Sequence, residues 1–510
     1  MKIKAIICTL LSFALIFPFA SYAFASSDGV KTSVYLNYGK AVITSDGITG
    51  YDENGAAISV CDPDGYRIRQ QNNVYPTENN IEVDSADVDI ELDGVNVDCS
   101  DLFGTAAFMI DGESNVSLTV RRNNYLTGGD TRATLEVGSS ASLTVDGDGY
   151  LKAVSVSSGA AIGGGGSNTN GVVTINGAKI FADSSSSTSG AGIGGGCNAP
   201  GGIITVNGGW VYALGGEYSA GIGGGGTAAS GGTVTINGGT VTAVGGIYGA
   251  GIGGGRLGKC EKVIINGGSV KAKAGENASN NLGGGYGRPA ATIVDSDSNT
   301  LICAIVDIAA INCFVDCKIN DKAVNINYTH PDDSCFYFWL KAGTYTADIF
   351  PQSGAGLHAL IEVSGSTATV TTENFETLIL KSDSNLALGN KLLKGNFSAV
   401  TDIKSEFENE ALTLFDFDST QIESFNSFVT GQRIALFSDG VMVDYADIVI
   451  PGDLDSDGII DGCDVVIAQA IKSGMLTTAA QSVNAAADAD SDGEFSDSDI
   501  SFIQQKGLLK

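Results

Sequence analysis

A repeated alternation of apolar and hydroxyl-bearing side chains is the clearest pattern in the middle of the chain. Four short runs read Val-Thr-Ile-Asn-Gly or a close variant, at residues 173–177, 204–208, 234–238 and 263–267. Because successive side chains of a strand point to opposite faces, this alternation predicts half-buried strands. Each Asn-Gly pair tolerates positive φ and therefore predicts a turn at the end of its strand.

A block of consecutive glycines separates successive copies of this strand. The blocks begin close to Ala161, Ala191, Ala220, Ala250 and Leu282, so the unit recurs about every 30 residues. A period of this length with short strands and sharp turns predicts a parallel β-helix. Collagen is excluded because glycine does not occupy every third position. Looser copies of the strand pattern upstream extend the predicted solenoid over residues 26–290.

The strand after each Asn-Gly pair assigns residues to the two faces of the solenoid wall. Alternation places Ile180, Val211 and Val241 in the interior and brings aromatic residues of neighbouring coils together outside. Aromatic side chains combine a flat apolar surface with a polar tip, so we expect a carbohydrate to bind them. The alternative is that this face packs against the following domain. The candidate carbohydrate-binding residues on this face are Phe181, Trp210 and Tyr212. Tyr218 and Tyr248 are also candidates, because they occupy equivalent positions before consecutive glycine blocks and should stack in neighbouring turns.

Three smaller modules are predicted after the solenoid. Alternating stretches such as 336–340 and 345–349 predict a small antiparallel β-domain over residues 291–380. Several strand patterns and one short helical pattern predict a small α+β module over residues 381–450. In the last module, over residues 451–510, two helical patterns each follow an Asp-rich loop.

The two Asp-rich loops share one design. Each has carboxylates at positions 1, 3 and 5, glycine at position 6, an oxygen-bearing side chain at position 9 and aspartate at position 12. An EF-hand loop supplies oxygen ligands to Ca²⁺ from these positions, and from the backbone carbonyl at position 7. The sequence therefore predicts two calcium ions, the alternative being an acidic tail without metal. The predicted ligands are Asp453, Asp455, Asp457, Ile459, Asp461 and Asp464, then Asp488, Asp490, Asp492, Glu494, Ser496 and Asp499.

This loop-then-helix duplication resembles a type I dockerin over roughly residues 452–506. The resemblance implies a C-terminal α-helical dockerin with two EF-hand-like calcium loops. It also implies docking onto a cohesin domain of a scaffold protein. In that family the residues at loop positions 10 and 11 help to choose the partner. The residues implied in cohesin recognition are therefore Gly462, Cys463, Asp497 and Ser498.

Residues 66–287 resemble a second family, the secreted bacterial parallel β-helix proteins that are described as carbohydrate-binding. This resemblance implies noncatalytic binding of a polysaccharide of the plant cell-wall type. The whole chain is then expected to be mainly β. A parallel β-helix solenoid would be followed by small β-rich and α+β modules and by the dockerin.

The N-terminus and the charge bear on where the protein works. Lys2 and Lys4, an apolar run, and Ala23-Phe24-Ala25 predict a signal peptide over residues 1–25 and hence secretion. No later segment is long and apolar enough to be expected to span a bilayer. The net charge of −30 argues against a nucleic-acid partner, whose phosphates require Lys and Arg.

Three functions compete at this point. The leading hypothesis is a secreted component of a cellulosome-type assembly, with a carbohydrate-binding or adhesive solenoid and a calcium-dependent dockerin. The first alternative is a polysaccharide lyase or glycoside hydrolase that uses acids between Asp87 and Glu113. Glycoside hydrolysis needs two suitably spaced carboxylates, and residues 153–255 contain as charged residues just Lys179, Asp183 and Glu217. The second alternative is a self-associating cell-surface adhesin.

Overall fold

The alternating runs of the repeat form three sheets of mostly parallel strands that build a β-solenoid in a computed structural model of the chain. The prediction of a mainly β chain with a parallel solenoid is therefore confirmed. The structure describes residues 23–24, 31–260, 262–308, 314–320, 322–326, 330, 334–351, 356–375, 378–381, 384–389, 392–395, 397, 400–409, 412–416, 420–425, 427–438, 441–473, 476, 481–489 and 495–508.

Each solenoid sheet takes about one strand from every coil, and neighbours in the following orders are hydrogen-bonded. Sheet 1 contains Ala23–Phe24, Ala57–Cys61, Gly47–Tyr51, Ala41–Thr44, Ile81–Asp84, Phe108–Asp111, Leu135–Val137, Ile162–Gly163, Ile193–Gly194, Ile222–Gly223, Ile252–Gly253 and Leu282–Gly283. Sheet 2 contains Thr32–Tyr35, Tyr66–Arg69, Asp87–Asp93, Asn115–Arg121, Ser142–Gly147, Val172–Ile175, Ile203–Val206, Thr233–Ile236, Lys262–Ile265 and Thr292–Val294. Sheet 3 contains Asn96–Asp98, Asn123–Thr127, Tyr150–Val154, Lys179–Asp183, Trp210–Leu214, Thr240–Val244 and Ser269–Lys273.

Equivalent residues of successive coils stack in register. In sheet 2, Ile175 pairs with Val206 and Val206 pairs with Ile236. The predicted interior residues Ile180, Val211 and Val241 are all fully buried. Each stacked pair removes apolar surface from water, and this burial stabilises the folded state by about 25 cal/mol for each Å² buried. The solenoid therefore has one continuous apolar core along its length.

A ladder of asparagine side chains runs along the turns that follow sheet 2. Asn207 Nδ2 donates to Asn176 Oδ1, Asn237 to Asn207 and Asn266 to Asn237, each at 2.7 Å. Asn266 Oδ1 in turn accepts the backbone N–H of Ser296 at 2.8 Å. The amides satisfy one another from coil to coil, which explains why asparagine recurs at this position.

Close backbone contacts between successive coils require a row of glycines in sheet 1. Gly163, Gly194, Gly223 and Gly253 have φ between +130° and +137°. A Cβ on Gly194 would lie 2.0 Å from the carbonyl oxygen of Gly223, and the same clash recurs in the neighbouring coils. That oxygen accepts the N–H of Gly195 at 2.9 Å. Glycine is therefore required in each coil because the next coil occupies the space of a side chain.

The chain forms two compact units. The first comprises residues 1–237, 241–266 and 271–297, and the second comprises residues 238–240, 267–270 and 298–510. The second unit contains a two-stranded pair, Ile302–Asp307 with Cys335–Leu340. It also contains a five-stranded sheet with the order Lys322–Ala323, Phe314–Ile319, Gly343–Pro351, Gly356–Ser364 and Thr367–Phe375.

A six-stranded sheet follows within the second unit. Its order is Leu386–Gly389, Leu392–Gly395, Val441–Ile448, Arg433–Ser438, Leu412–Phe415 and Gln421–Ile422, and a 3₁₀ helix spans Ile403–Glu406. Phe397, Ile403, Leu414, Ile434 and Ile448 are among the buried side chains of its core. We call this part of the chain, residues 378–450, the six-stranded domain.

Three helices lie at the C-terminus: α1 (Gly462–Lys472), α2 (Gln481–Ala487) and α3 (Asp497–Leu508). The helices predicted after the two Asp-rich loops are present as α1 and α3. Ala468 of α1 and Ile503 of α3 are fully buried in one shared cluster. Among the described residues, none of the helices combines the length and hydrophobicity needed to cross a membrane.

Candidate functional site

The first Asp-rich loop brings three carboxylates together. Ligand atoms of Asp453, Asp455 and Asp457 lie within 4.8 Å of one another. Gly458 at position 6 has φ of +79°, which supplies the sharp turn of such a loop. Ile459 at position 7 is about half exposed, and its predicted ligand is the backbone carbonyl and not the side chain. Hard oxygen donors in this number and spacing suit a cation such as Ca²⁺.

Charge and burial disfavour three ionised carboxylates in this place. Burial raises the pKa of Asp453, and burial followed by the charges of Asp464 and Asp457 raises the pKa of Asp455. A bound divalent cation would reverse both effects, because opposite charge favours the ionised form. The donor set therefore fits a metal ion on physical grounds.

The remaining residues of the first loop tie it to α1. Asp464 is fully buried, and its carboxylate accepts the N–H groups of Leu454 at 2.7 Å and Asp461 at 2.8 Å. Asp461 caps α1 and accepts the N–H of Cys463 at 2.7 Å. A carboxylate offers about four lone-pair sites, so both groups retain capacity for a cation.

The second loop is described in part. Asp499 is fully buried and accepts the N–H of Ser496 at 2.7 Å, which reproduces the contact between positions 9 and 12 of the first loop. Asp488 is half-buried at the end of α2. The predicted ligands Asp490, Asp492 and Glu494 lie outside the described residues.

The four residues implied in cohesin recognition are all exposed. Gly462 and Cys463 begin α1, and Asp497 and Ser498 begin α3. Lys472 at the end of α1 forms a salt bridge with Asp497 at the start of α3. Position 10 of the second loop is thus tied to the helix that follows the first loop.

The aromatic residues predicted on sheet 3 form one cluster. Trp210 and Tyr212 stack with their ring centroids 5.9 Å apart, and Phe181 lies 5.2 Å from Tyr212. All three are half-buried. In the next coil, Thr240 and Thr242 continue these outward rows but are buried, although the alternation predicts that they face outward. This row therefore offers limited open surface.

A second aromatic cluster, which we call the tyrosine stack, contains two half-buried tyrosines and one exposed tyrosine. Tyr218 and Tyr248 stack with centroids 5.4 Å apart and planes 12° apart, as their equivalent positions predict. Tyr286 joins them edge-on at 5.7 Å and is 45% exposed. The guanidinium of Arg256 lies 5.5 Å and 5.4 Å from the centroids of Tyr218 and Tyr248.

Backbone hydrogen bonds hold the tyrosine stack in place. Tyr248 N–H donates to Glu217 O at 3.0 Å, Tyr286 N–H to Tyr248 O at 2.9 Å and Arg256 N–H to Tyr218 O at 2.7 Å. A side-chain hydrogen bond to Glu217 raises the pKa of the Tyr218 phenol. The stack thus presents aromatic surface, hydroxyl groups and one cation on rigid coils.

Sequence reasoning missed Tyr286 and Arg256. Tyr218 and Tyr248 precede glycine blocks at equivalent positions, whereas Tyr286 and Arg256 each follow one. The register that predicts the first pair therefore could not predict the second. Both positions directly follow the last glycine of a block, which is the signal that could have found them.

The acids considered for catalysis are mostly engaged in other contacts. Arg67 pairs with Glu91 at 2.6 Å and Arg69 pairs with Asp93 at 3.0 Å on adjacent strands of sheet 2. Asp87 and Asp89 line a cavity of about 460 Å³, together with Asp62, Asn115 and polar or apolar neighbours. The described lining contains no His, Lys or Arg, the residues expected as the proton-abstracting base of a lyase.

Comparison with known proteins supports the solenoid. A family model described as a beta helix repeat matches residues 173–197, 204–226 and 234–256. These segments are three consecutive copies of the Asn-Gly strand followed by the glycine block. No curated protein and no solved structure matches the chain. In its central coils the chain is therefore similar to β-helix repeat proteins, a fold consistent with carbohydrate-binding or adhesive roles.

Proposed function

We propose that this protein is a secreted, noncatalytic component of a cohesin–dockerin assembly. Its solenoid binds polysaccharide of the plant cell-wall type, and its C-terminal module docks to a scaffold cohesin in the presence of calcium. The observation that carries the binding half is the tyrosine stack. Its rings, hydroxyls and guanidinium lie on adjacent coils and supply the apolar and polar contacts that a sugar chain requires.

The docking half is supported by the first Asp-rich loop. The convergence of Asp453, Asp455 and Asp457 at the start of a helix is what a calcium-binding loop needs. The exposure of Gly462, Cys463, Asp497 and Ser498 leaves both helix starts accessible to a partner. Calcium-dependent capture of a cohesin would connect the solenoid to a larger assembly.

Replacing Tyr218 and Tyr248 together by alanine should weaken retention on insoluble polysaccharide at least about tenfold. The change removes two stacked, half-buried rings while leaving the coil backbone unchanged. Sedimentation of the full chain with cellulose, xylan or pectin measures the bound fraction.

The matched control is the Trp210→Ala/Tyr212→Ala variant on sheet 3, whose parent residues are a stacked pair at a similar distance. Loss of binding in this variant alone would move the site to sheet 3. Undiminished binding in both variants would remove both aromatic clusters as the carbohydrate site.

Capture by immobilised type I cohesins tests the docking half. We expect the full chain to bind at least one cohesin in calcium and to be released by a chelator, because metal ligands absent from the unfolded state link binding to folding. The Glu423→Gln variant, which changes an exposed carboxylate outside both loops, should behave like the parent. Capture that persists after chelation would contradict the proposal.

The lyase or hydrolase alternative predicts a different result. It requires release of reducing or unsaturated sugar ends, and that release should be lost on changing Asp87 and Asp89. The ion pairs of Glu91 and Asp93 already engage two of the candidate acids, which favours the noncatalytic function. The carboxylates of Asp62, Asp87 and Asp89 line one cavity and are the group that this experiment tests.

A further inference from the structure

The first Asp-rich loop is bonded to a segment of the six-stranded domain that precedes it. Thr430 is fully buried, and its backbone N–H donates to Asp453 Oδ2 at 2.8 Å. The Thr430 hydroxyl also accepts the N–H of Ile450 at 3.1 Å. Asp453 is position 1 of the loop, so a proposed calcium ligand takes one of its hydrogen bonds from outside the predicted module.

Glycine at loop position 6 packs against the same segment. A Cβ on Gly458 would lie 3.0 Å from the carbonyl oxygen of Phe428 and 3.0 Å from Val429 Cγ1. The other Asp453 oxygen, Oδ1, accepts the N–H of Gly458 at 3.2 Å. The loop therefore closes directly on residues 428–430.

The segment that contacts the loop is itself held in place. Gln432 is buried, and its Oε1 accepts the N–H of Val429 at 3.0 Å. Its Nε2 donates to the backbone oxygen of Ser427 at 3.0 Å and to Asp416 at 3.1 Å. Residues 427–432 thus form a braced turn that leads into the strand Arg433–Ser438.

One apolar cluster contains residues of both the six-stranded domain and the C-terminal helices. Leu392 and Val449 belong to the six-stranded domain, yet they share a buried cluster with Ala468, Ala486 and Ile503 of the helices. Val449 N–H donates to Leu393 O at 2.9 Å, and Gly452 N–H donates to Ala486 O at 2.8 Å. Removing the helices would therefore expose apolar side chains of the sheet.

We propose that the six-stranded domain and the first Asp-rich loop are one cooperative unit, in which Thr430 positions Asp453 for calcium. This inference rests on the proposed calcium function of the loop. Its consequence is that calcium stabilises the six-stranded domain as well as the helices. The docking module then begins near residue 378 and not at residue 451.

Hydrogen exchange of the full chain, read by mass spectrometry with and without calcium, tests the coupling. Because a ligand that binds the folded state suppresses every opening that destroys its site, amides of Arg433–Ser438 and Val441–Ile448 should exchange at least about tenfold more slowly in calcium. Amides of Val172–Ile175 in the solenoid should not change, which makes them the internal control.

The Thr430→Val variant tests the positioning role. It removes the hydroxyl that binds Ile450 and should lower calcium affinity several-fold, because the N–H of Ile450 is left without that acceptor and the turn beside Asp453 loosens. Thr430→Ser should restore the affinity. The matched control is Thr413→Val, which removes a half-buried hydroxyl from a strand of the six-stranded domain and should leave affinity unchanged.

The outcomes separate the two proposals. Calcium protection of the loop and helices with no change in the strands would overturn the coupling and leave the proposed function intact. Absence of calcium protection everywhere would overturn both. Equal calcium affinity in the Thr430→Val, Thr413→Val and parent proteins would remove Thr430 as a positioning residue.

Discussion

Changing Asp455 and Asp457 together to alanine is expected to remove the stabilisation that calcium in the first loop gives to the C-terminal part of the protein, because two of the predicted oxygen ligands are lost. Both side chains are exposed, so water can replace them as acceptors for the N–H groups of Asp457 and Ile459. The apo fold should therefore survive. At a free calcium concentration about a thousandfold above the dissociation constant, binding contributes about 4 kcal/mol, which the variant should lose.

Scanning calorimetry of the full chain measures how far calcium raises the midpoint of the C-terminal transition, and this rise should be smaller in the variant than in the parent. The Glu423→Gln variant removes a negative charge from the six-stranded domain without touching a loop and should retain the rise. If the double variant shows the same calcium-dependent shift as the parent, the first loop is not a calcium site.

Replacing Gly194 by alanine is expected to destabilise the solenoid by about 3 kcal/mol or more. The residue has φ of +137°, and the new Cβ would lie 2.0 Å from the backbone oxygen of Gly223. Since that oxygen accepts a hydrogen bond from Gly195, neither coil can move away without losing part of the ladder. A large fall in the urea midpoint of the solenoid transition is the expected measurement.

Gly104→Ala is the matched control for backbone strain alone. Gly104 also has positive φ, at +71°, but a Cβ there would meet nothing within 4 Å. Its cost should be about 1 kcal/mol, the strain of a left-handed residue without a clash. Similar losses in the two variants would mean that contact between coils does not determine the glycine row.

Much of the solenoid could be predicted from the sequence because its order is local and repeated. Alternation assigns Ile180, Val211 and Val241 to the interior, and the fixed period aligns Tyr218 with Tyr248. These conclusions need one coil and a rule for stacking the next. The burial of Thr240 and Thr242 could not be predicted in this way, because alternation assigns a side chain to one face of a strand and does not determine how exposed that face is.

The first Asp-rich loop has contacts that its spacing predicts and one contact that depends on tertiary structure. Its spacing predicts that Asp453, Asp455 and Asp457 converge, because a short loop with glycine at position 6 has few ways to close. The contact between Thr430 and Asp453 joins residues 23 positions apart and depends on how the six-stranded domain folds. Nothing in the local pattern around Thr430 marks it as a neighbour of the loop.

The glycine row of sheet 1 also limits how this protein can change in length. Each coil fills the space that a side chain of the preceding coil would need, so a coil with one residue inserted or deleted in this row would no longer fit its neighbours. Whole coils, in contrast, pair with their neighbours in one repeated register, so a complete coil can be added or removed without changing that register. The solenoid can therefore lengthen or shorten by complete repeats, and the distance between its two ends can vary in steps of one strand spacing, about 4.8 Å.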